Sequence, residues 1–275
     1  MPSDKRHEIV HTRNGTLAMR SIEAGEIMHP GVGPLVEAEQ LYVRQSRLRE
    51  RLRESGTQPL VVFDVGLGAG SNAVCARNAS EQSPSDAARL ILVSFEYDLG
   101  ALSLALTQPS AFGLDGDAGI AARALLTTGQ SETARTTWQL RHCDLLTSLA
   151  AEPTHADIVF WDPFSPRQNP LLWTVAAFSA IRHKAAPHCT LFTYSASTTT
   201  RVAMLLAGWA VGIGAPIGDK AQTTAAAISP EDLARPLDRT WLSRLSRYDA
   251  PLPADAPTDT AARISQLPQF HRSIR

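Results

Sequence analysis

Residues Val61 to Asn72 read VVFDVGLGAGSN, and this stretch decides the fold. An apolar run closed by Asp64 describes a buried parallel strand. Gly66, Gly68 and Gly70 then supply a tight turn that feeds straight into a helix opening at Asn72. Amides at such a helix start point at whatever is bound there, so the stretch reads as a nucleotide cradle. The glycine spacing discriminates between nucleotides. A dinucleotide fingerprint needs G-x-G-x-x-G, but counted from Gly66 its last position is Ser71, and counted from Gly68 it is Ala73.

Outward from the cradle, strand-like and helix-like segments alternate from Gln58-Pro59 onward. LILVSFE, TWQL, DIVFWD and CTLFTYS read as further strands, with helical stretches between them. Such alternation predicts a mostly parallel sheet with helices on both faces. The last two strands, WAVGI and QTTAAA, have no crossover helix between them and must be antiparallel. The expected fold is therefore α/β and Rossmann-like, with a seven-stranded, mostly parallel sheet whose last strand is antiparallel. Residues 59–228 form this domain. Before it, residues 1–58 carry a β-ribbon around the Asn14-Gly15 turn signal and an amphipathic helix over Leu35–Glu54. Arg44, Arg47 and Arg51 read as a solvated face of that helix, paired with Glu50 and Glu54. Residues 229–275, rich in Pro, Asp and Arg, are expected to pack over the domain as a tail.

Composition narrows the classes. With 275 residues and 44% hydrophobic content the chain can bury a sizeable core, and a net charge of −1 gives no general attraction to nucleic acid. No apolar run approaches the ~18 residues of a membrane helix, and the first residues lack a signal-peptide core, so a cytoplasmic location is expected. Cys75, Cys143 and Cys189 are odd in number and widely spaced, which indicates neither a disulfide framework nor a metal site.

The order Asp64-x-Gly66-x-Gly68-x-Gly70 fits the acid-x-G-x-G-x-G turn of Rossmann-like enzymes that use S-adenosylmethionine; a turn serving packing alone is the plainer alternative. Glu96 ends the next strand, where a carboxylate can accept both ribose hydroxyls. Asp144 follows the third strand, beside the adenine position, although helix capping alone would also account for it. The fourth strand ends at Asp162, at the carboxyl edge of the sheet where α/β proteins bind ligands. Pro163, Pro166 and Pro170 stiffen the following loop, and Phe164 and Trp173 are candidate walls around a flat substrate. A carboxylate there suits an amine: it can orient N–H groups and hold the charge that develops as a methyl moves from sulfur to nitrogen. The plainer reading makes Asp162 a cap for loop turns.

The segments FDVGLGAGSNA, DPFSPRQNPLLW and FTYSASTTTRVAMLLAGWAV together resemble the methyltransferase part of the tRNA 5-methylaminomethyl-2-thiouridine biosynthesis (MnmC) family, and most of all its short stand-alone members without an oxidase domain. NGTLAMR and EIMHPGVGPLVEAEQLYV near the start, and RTWLSRLSRYDAPLPAD in the tail, extend the likeness. The resemblance implies a class I methyltransferase that uses S-adenosyl-L-methionine. It would methylate the amine of 5-aminomethyl(-2-thio)uridine at the tRNA wobble position, with the anticodon stem-loop as partner and neither metal nor membrane involved. It implies Asp162 as catalytic residue. It places Asp64, Gly66, Gly68, Gly70, Asn72, Glu96 and Asp144 at the cofactor, with His29, Gly31 and Gly33 in a segment closing over it. Phe164, Asn169, Trp173, Tyr194, Ser195 and Lys220 fall at the substrate. The chain departs from the family in its last hairpin, where a basic cluster is reduced to Gly218-Asp219-Lys220-Ala221-Gln222, and at Gln168, where a lysine is usual. Arg167, Arg201, Arg239, Arg244 and Arg247 are the candidates to compensate. Rival readings are N-methylation of a small amine, aminopropyl transfer on the same fold, and binding of S-adenosylmethionine or RNA without turnover.

Overall fold

A computed structural model describes residues 6–245 and 252–271 and opens on a three-stranded antiparallel sheet of β1 (His7–His11), β2 (Leu17–Ser21) and β3 (Glu26–Ile27). β1 and β2 pair with His11 opposite Leu17, and the loop between them turns at Gly15 with φ +82°, where the Asn-Gly signal puts it. β3 matters for the site, because the chain that leaves it carries Met28 and His29 into a cavity at the edge of the central sheet.

The central sheet contains β4 (Leu60–Val65), β5 (Leu90–Glu96), β6 (Gln130–Glu132), β7 (Thr136–His142), β8 (Ala156–Trp161), β9 (Ala185–Thr193), β10 (Ala210–Gly214) and β11 (Thr223–Ala227), in the order β10-β11-β9-β8-β4-β5-β7-β6. β9, β8, β4, β5 and β7 run parallel, while β11 is antiparallel to both of its neighbours. The sheet thus has eight strands where seven are expected. The extra one is β6, a short polar strand that doubles back on β7 and carries no hydrophobic periodicity to announce it. β4 lies between β8 and β5, so the strand order reverses there and leaves a crevice at the carboxyl ends of these strands.

Period-2 alternation divides the core. Leu60 and Val62 of β4, Leu90 and Leu92 of β5, and Ile158 and Phe160 of β8 join a cluster on one face with Val74 and Leu102, whereas Phe63, Val65, Val93, Phe95, Val159 and Trp161 join another with Phe178 and Val202. By the same alternation Asp64, Ser94 and Asp162 fall on the first face, toward the helix Ser71–Glu81. The second cluster also takes in Trp241, Ile264 and Phe270 from the tail, with Trp241 and Phe270 stacked at 6.2 Å and 8°.

The segment expected as one helix over Leu35–Glu54 is broken. A short helix, Pro34–Glu37, passes into wider π-type turns over Ala38–Arg44, and Arg47 adopts φ +55° before a second helix, Leu48–Glu54. The wide turns bury Leu41, Tyr42 and Val43 in succession. The arginines are not one solvated face either. Arg47 pairs with exposed Glu54 at 3.2 Å, but Arg51 donates to Thr190 Oγ1 of β9 at 3.1 Å, and burial lowers its pKa. Among the described residues no helix is long and apolar enough to cross a membrane.

Candidate functional site

A cavity of about 300 Å³ opens at the carboxyl ends of β4, β5 and β8. Its first wall is main chain. β4 ends in Gly66-Leu67-Gly68-Ala69, which lines the cavity and enters the helix Ser71–Glu81. Gly66 has φ +87°, and a Cβ there would stand 2.6 Å from the carbonyl oxygen of Asp162. That glycine therefore allows two loops of the sheet edge to touch, rather than clearing space for a ligand. Gly68, at φ +53°, faces the Met28 sulfur, which a Cβ would approach to 3.1 Å.

Glu96 is built into this wall. Its Oε2 accepts from Gly68 N at 2.8 Å, and its Oε1 accepts from Tyr97 N and Asp98 N at 2.8 and 3.0 Å. Burial raises its pKa, and the three amides partly offset that. The carboxylate is thus held beside the glycine turn at a fixed angle, available to hydroxyl donors. Asp144 also lines the cavity and at the same time caps the helix Leu145–Ser148 through Thr147 N at 3.0 Å, so capping does not remove it from the cavity.

Asp64 is not in the cavity. It lies beneath the turn, fully buried, with Oδ2 accepting from Ser94 Oγ at 2.8 Å while Trp138 Nε1 donates to the same Ser94 oxygen at 3.0 Å. Its Oδ1 has no partner, and burial pushes its pKa up to about 7. Gly70, Gly31 and Gly33 also lie off the cavity lining. Gly70 packs against Leu102, and a Cβ on Gly33 would meet Thr16 Oγ1 at 2.9 Å.

The second part of the lining centres on a cluster of charged side chains. Asp162, at the end of β8, accepts from Asn72 Nδ2 on Oδ2 at 2.6 Å, and His29 Nε2 stands 3.5 Å from the same oxygen. His29 Nδ1 lies 3.5 Å from Glu37 Oε1. Burial alone would depress the imidazole pKa, but the charges of Asp162 and Glu37 and the hydrogen bond to Glu37 outweigh it and raise it to about 9. Burial raises the Asp162 carboxyl, against the pull of His29, Asn72 and Tyr42. Asn72 and His29, expected at the cofactor, both reach the Asp162 carboxylate, and of the two His29 lines the cavity. Lys220, from the turn between β10 and β11, reaches the rim with Nζ 4.6 Å from the centre of the Tyr194 ring.

The expected substrate residues divide. Phe164, Asn169, Tyr194 and Lys220 line the cavity. Trp173 does not: it is buried behind the loop, donates from Nε1 to the Phe164 carbonyl at 2.8 Å and meets Tyr194 edge-on at 5.7 Å. It braces the wall rather than forming it. Ser195 is likewise buried and paired with Thr200 Oγ1 at 3.0 Å. Tyr194 donates to the Pro163 carbonyl at 3.0 Å, which ties the end of β9 to the Asp162 loop. Of the arginines, Arg201 is buried, bonded to Thr224 Oγ1 and the Thr223 carbonyl, and its pKa is lowered to about 10 by burial; it is no phosphate contact. Arg239 is tied to the Phe270 carbonyl, Arg167 and Arg244 are exposed, and Arg247 lies outside the described residues.

Sequence reasoning missed Glu26, Met28, Glu37 and Tyr42. Glu26 accepts from Ser165 N at 3.1 Å and bonds its hydroxyl, which fastens the ribbon to the Asp162 loop. Glu37 carried a usable signal, since it lies four residues before Leu41 on the apolar side of its helix, an acid in a core position.

Residues 122–229 match a family described as S-adenosyl-L-methionine-dependent methyltransferases. The bifunctional protein MnmC of tRNA 5-methylaminomethyl-2-thiouridine biosynthesis from Methylibium petroleiphilum is 28% identical over 80% of this chain and 34% of its own length. That from Burkholderia thailandensis is 30% identical over 68% of this chain and 30% of its own. The chain thus spans about a third of the length of these curated relatives. A crystal structure of MnmC2 from Aquifex aeolicus, 23% identical, matches 97% of this chain and 87% of that one with TM-score 0.74, and a spermidine synthase structure, 12% identical, matches 96% and 86% with TM-score 0.51.

Proposed function

We propose that the chain, an S-adenosyl-L-methionine-dependent methyltransferase by its family match over residues 122–229 and its relatives, methylates the amine of 5-aminomethyl(-2-thio)uridine at the tRNA wobble position. The observation that carries the reading is Asp162: a nearly buried carboxylate in the lining of the cavity that Glu96 and the glycine turn also line, at the end of the strand next to that turn. The residues present fit the cofactor. Glu96 offers a carboxylate fixed by three amides, suited to vicinal hydroxyls, and the acids around the cavity favour a sulfonium cation. When bound, S-adenosylmethionine supplies an electrophilic methyl on sulfur.

The chain's own residues do the rest. Asn72 and His29 stand at Oδ2 of Asp162 and Tyr42 also bears on the carboxylate, whose remaining acceptor capacity is assigned to an N–H of the acceptor amine. That contact turns the nitrogen lone pair toward the donor side. As the N–C bond forms and the S–C bond breaks, the nitrogen becomes an ammonium, and Asp162 holds its charge. The ammonium proton then passes to Asp162 or to water. Phe164 and Tyr194 are assigned to flank the acceptor base, and Lys220 in the cavity lining, with exposed Arg167 on the loop after Asp162, is assigned to phosphate.

The name of the bifunctional relatives, a tRNA 5-methylaminomethyl-2-thiouridine biosynthesis protein, supports the tRNA substrate. The acidity of the cavity, with Glu26, Glu37, Glu96, Asp144 and Asp162 in its lining, favours a second reading, a free small amine as acceptor. A competition assay separates them. With methyl-labelled cofactor, label is expected in tRNA bearing aminomethyluridine and not in unmodified tRNA or spermidine; labelling of spermidine in preference to tRNA sinks the proposal in favour of the second reading.

A further inference from the structure

The site holds a buried charge relay that the donor and acceptor roles leave unused. His29 belongs to none of the elements that form the crevice. It comes from the chain after β3, and its backbone is in the left-handed region at φ +54°, a conformation that a non-glycine residue keeps only where its surroundings hold it. Both ring nitrogens face carboxylates at 3.5 Å, Glu37 at Nδ1 and Asp162 at Nε2. All three side chains are nearly excluded from solvent, at 12%, 10% and 9% exposure, so these charges interact with little screening.

We infer that His29, held by Glu37, is a positioning residue for Asp162: its imidazolium keeps the carboxylate ionised and pins Oδ2, so that the carboxylate can only accept, and never donate, toward the acceptor amine. The inference rests on Asp162 as the acceptor-side group. A buried aspartate without that cation would take up a proton and present an O–H to the nitrogen lone pair, which blocks attack. Glu37 supplies the second charge that keeps the imidazole protonated, and its own carboxyl, raised by burial, ends below the usual carboxylate range because of the hydrogen bond and charge of His29. The other groups that bear on His29 are Lys220 from the β10–β11 turn, which opposes its charge, and Asp64 beneath the cradle, whose interaction with the imidazolium is the weakest of those acting on it. Tyr42, on the wide turns, is coupled to Asp162 and stays protonated, because burial first and then Asp162 raise its pKa.

The sign of the pH dependence follows. The His29 pKa in the folded chain lies above its ordinary 6.5, so the ion pair is complete below that value and is lost as pH rises through about 9. Imidazole Cε1–H resonances of the acceptor-free protein, with His29 assigned by its loss in His29→Gln, are expected to show that midpoint near 9. In Asp162→Asn and in Glu37→Gln the midpoint should fall, by roughly 1–3 pH units for a neighbouring charge removed. A midpoint near 6.5 in the unaltered protein, or one that Asp162→Asn leaves in place, overturns the inference, and neither result depends on which acceptor is correct. With turnover available, His29→Gln should shift the acid limb of the pH–rate profile upward. A uniform loss of rate with the limb unmoved marks a merely structural histidine and overturns it as well.

Discussion

On the Gly66–Ala69 side of the cavity the wall is main chain, with Glu96 clasped by the amides of Gly68, Tyr97 and Asp98. On the Asp162 side the wall is made of side chains from separate segments: His29 after β3, Glu37 from the first helix, Asn72 from the helix behind the cradle, and Lys220 from the last hairpin. The first wall is made of two short local segments, the ends of the adjacent strands β4 and β5, joined by backbone hydrogen bonds to one carboxylate. The second exists only once the whole chain has folded, and its chemistry depends on how buried charges balance. A backbone cradle can be reused for one donor throughout a fold class, whereas a side-chain cluster can be retuned for each acceptor.

If the two walls have separate duties, substitutions should divide accordingly. The largest effect is expected from Asp162→Asn, which keeps the shape and removes the charge: turnover should drop by roughly 10²–10³-fold, as for other lost transition-state contacts, measured under saturating cofactor and acceptor. Glu96→Gln is expected to act on the other wall, weakening cofactor binding by about tenfold, the effect of losing one charge-assisted hydrogen bond, with turnover at saturating cofactor preserved. A turnover defect that saturation does not repair would break the comparison. The smallest effect is expected from Lys220→Ala, which should raise KM for tRNA a few-fold and reduce the salt dependence of that KM by about one counterion. Cofactor affinity should not move, and an unchanged salt dependence would remove Lys220 from the phosphate path.

The same contrast explains what could be read before folding. The β4 strand, its glycine turn and the end of β5 at Glu96 are local patterns, and each is where its spacing puts it. The antiparallel pairing of β10 with β11 followed from the missing crossover alone. β6 escaped because a three-residue polar edge strand has no periodicity, and the break at Arg47 escaped because wide helical turns preserve an approximately helical apolar spacing. Within the site, Asp64 illustrates the limit: the motif identifies the acid but does not say that alternation turns it inward, onto Ser94 and away from the cavity. Trp173 and Ser195 flank the loops that do reach the cavity, and proximity in sequence made them look like walls when they are supports. His29 and Glu37 could not be paired with Asp162 by any local rule, since the docking of the N-terminal segment on the domain, through contacts that include Glu26 with Ser165 and Arg6 with Asp98, brings them there.

The separation of donor and acceptor walls is tested most directly by titrating S-adenosylmethionine into Asp162→Asn in a calorimeter. The account predicts a dissociation constant within a few-fold of the unaltered protein, because Asp162 is assigned to the amine and the cofactor contacts lie with Glu96 and the glycine turn. Loss of cofactor binding in parallel with loss of turnover would contradict it and place Asp162 on the donor side.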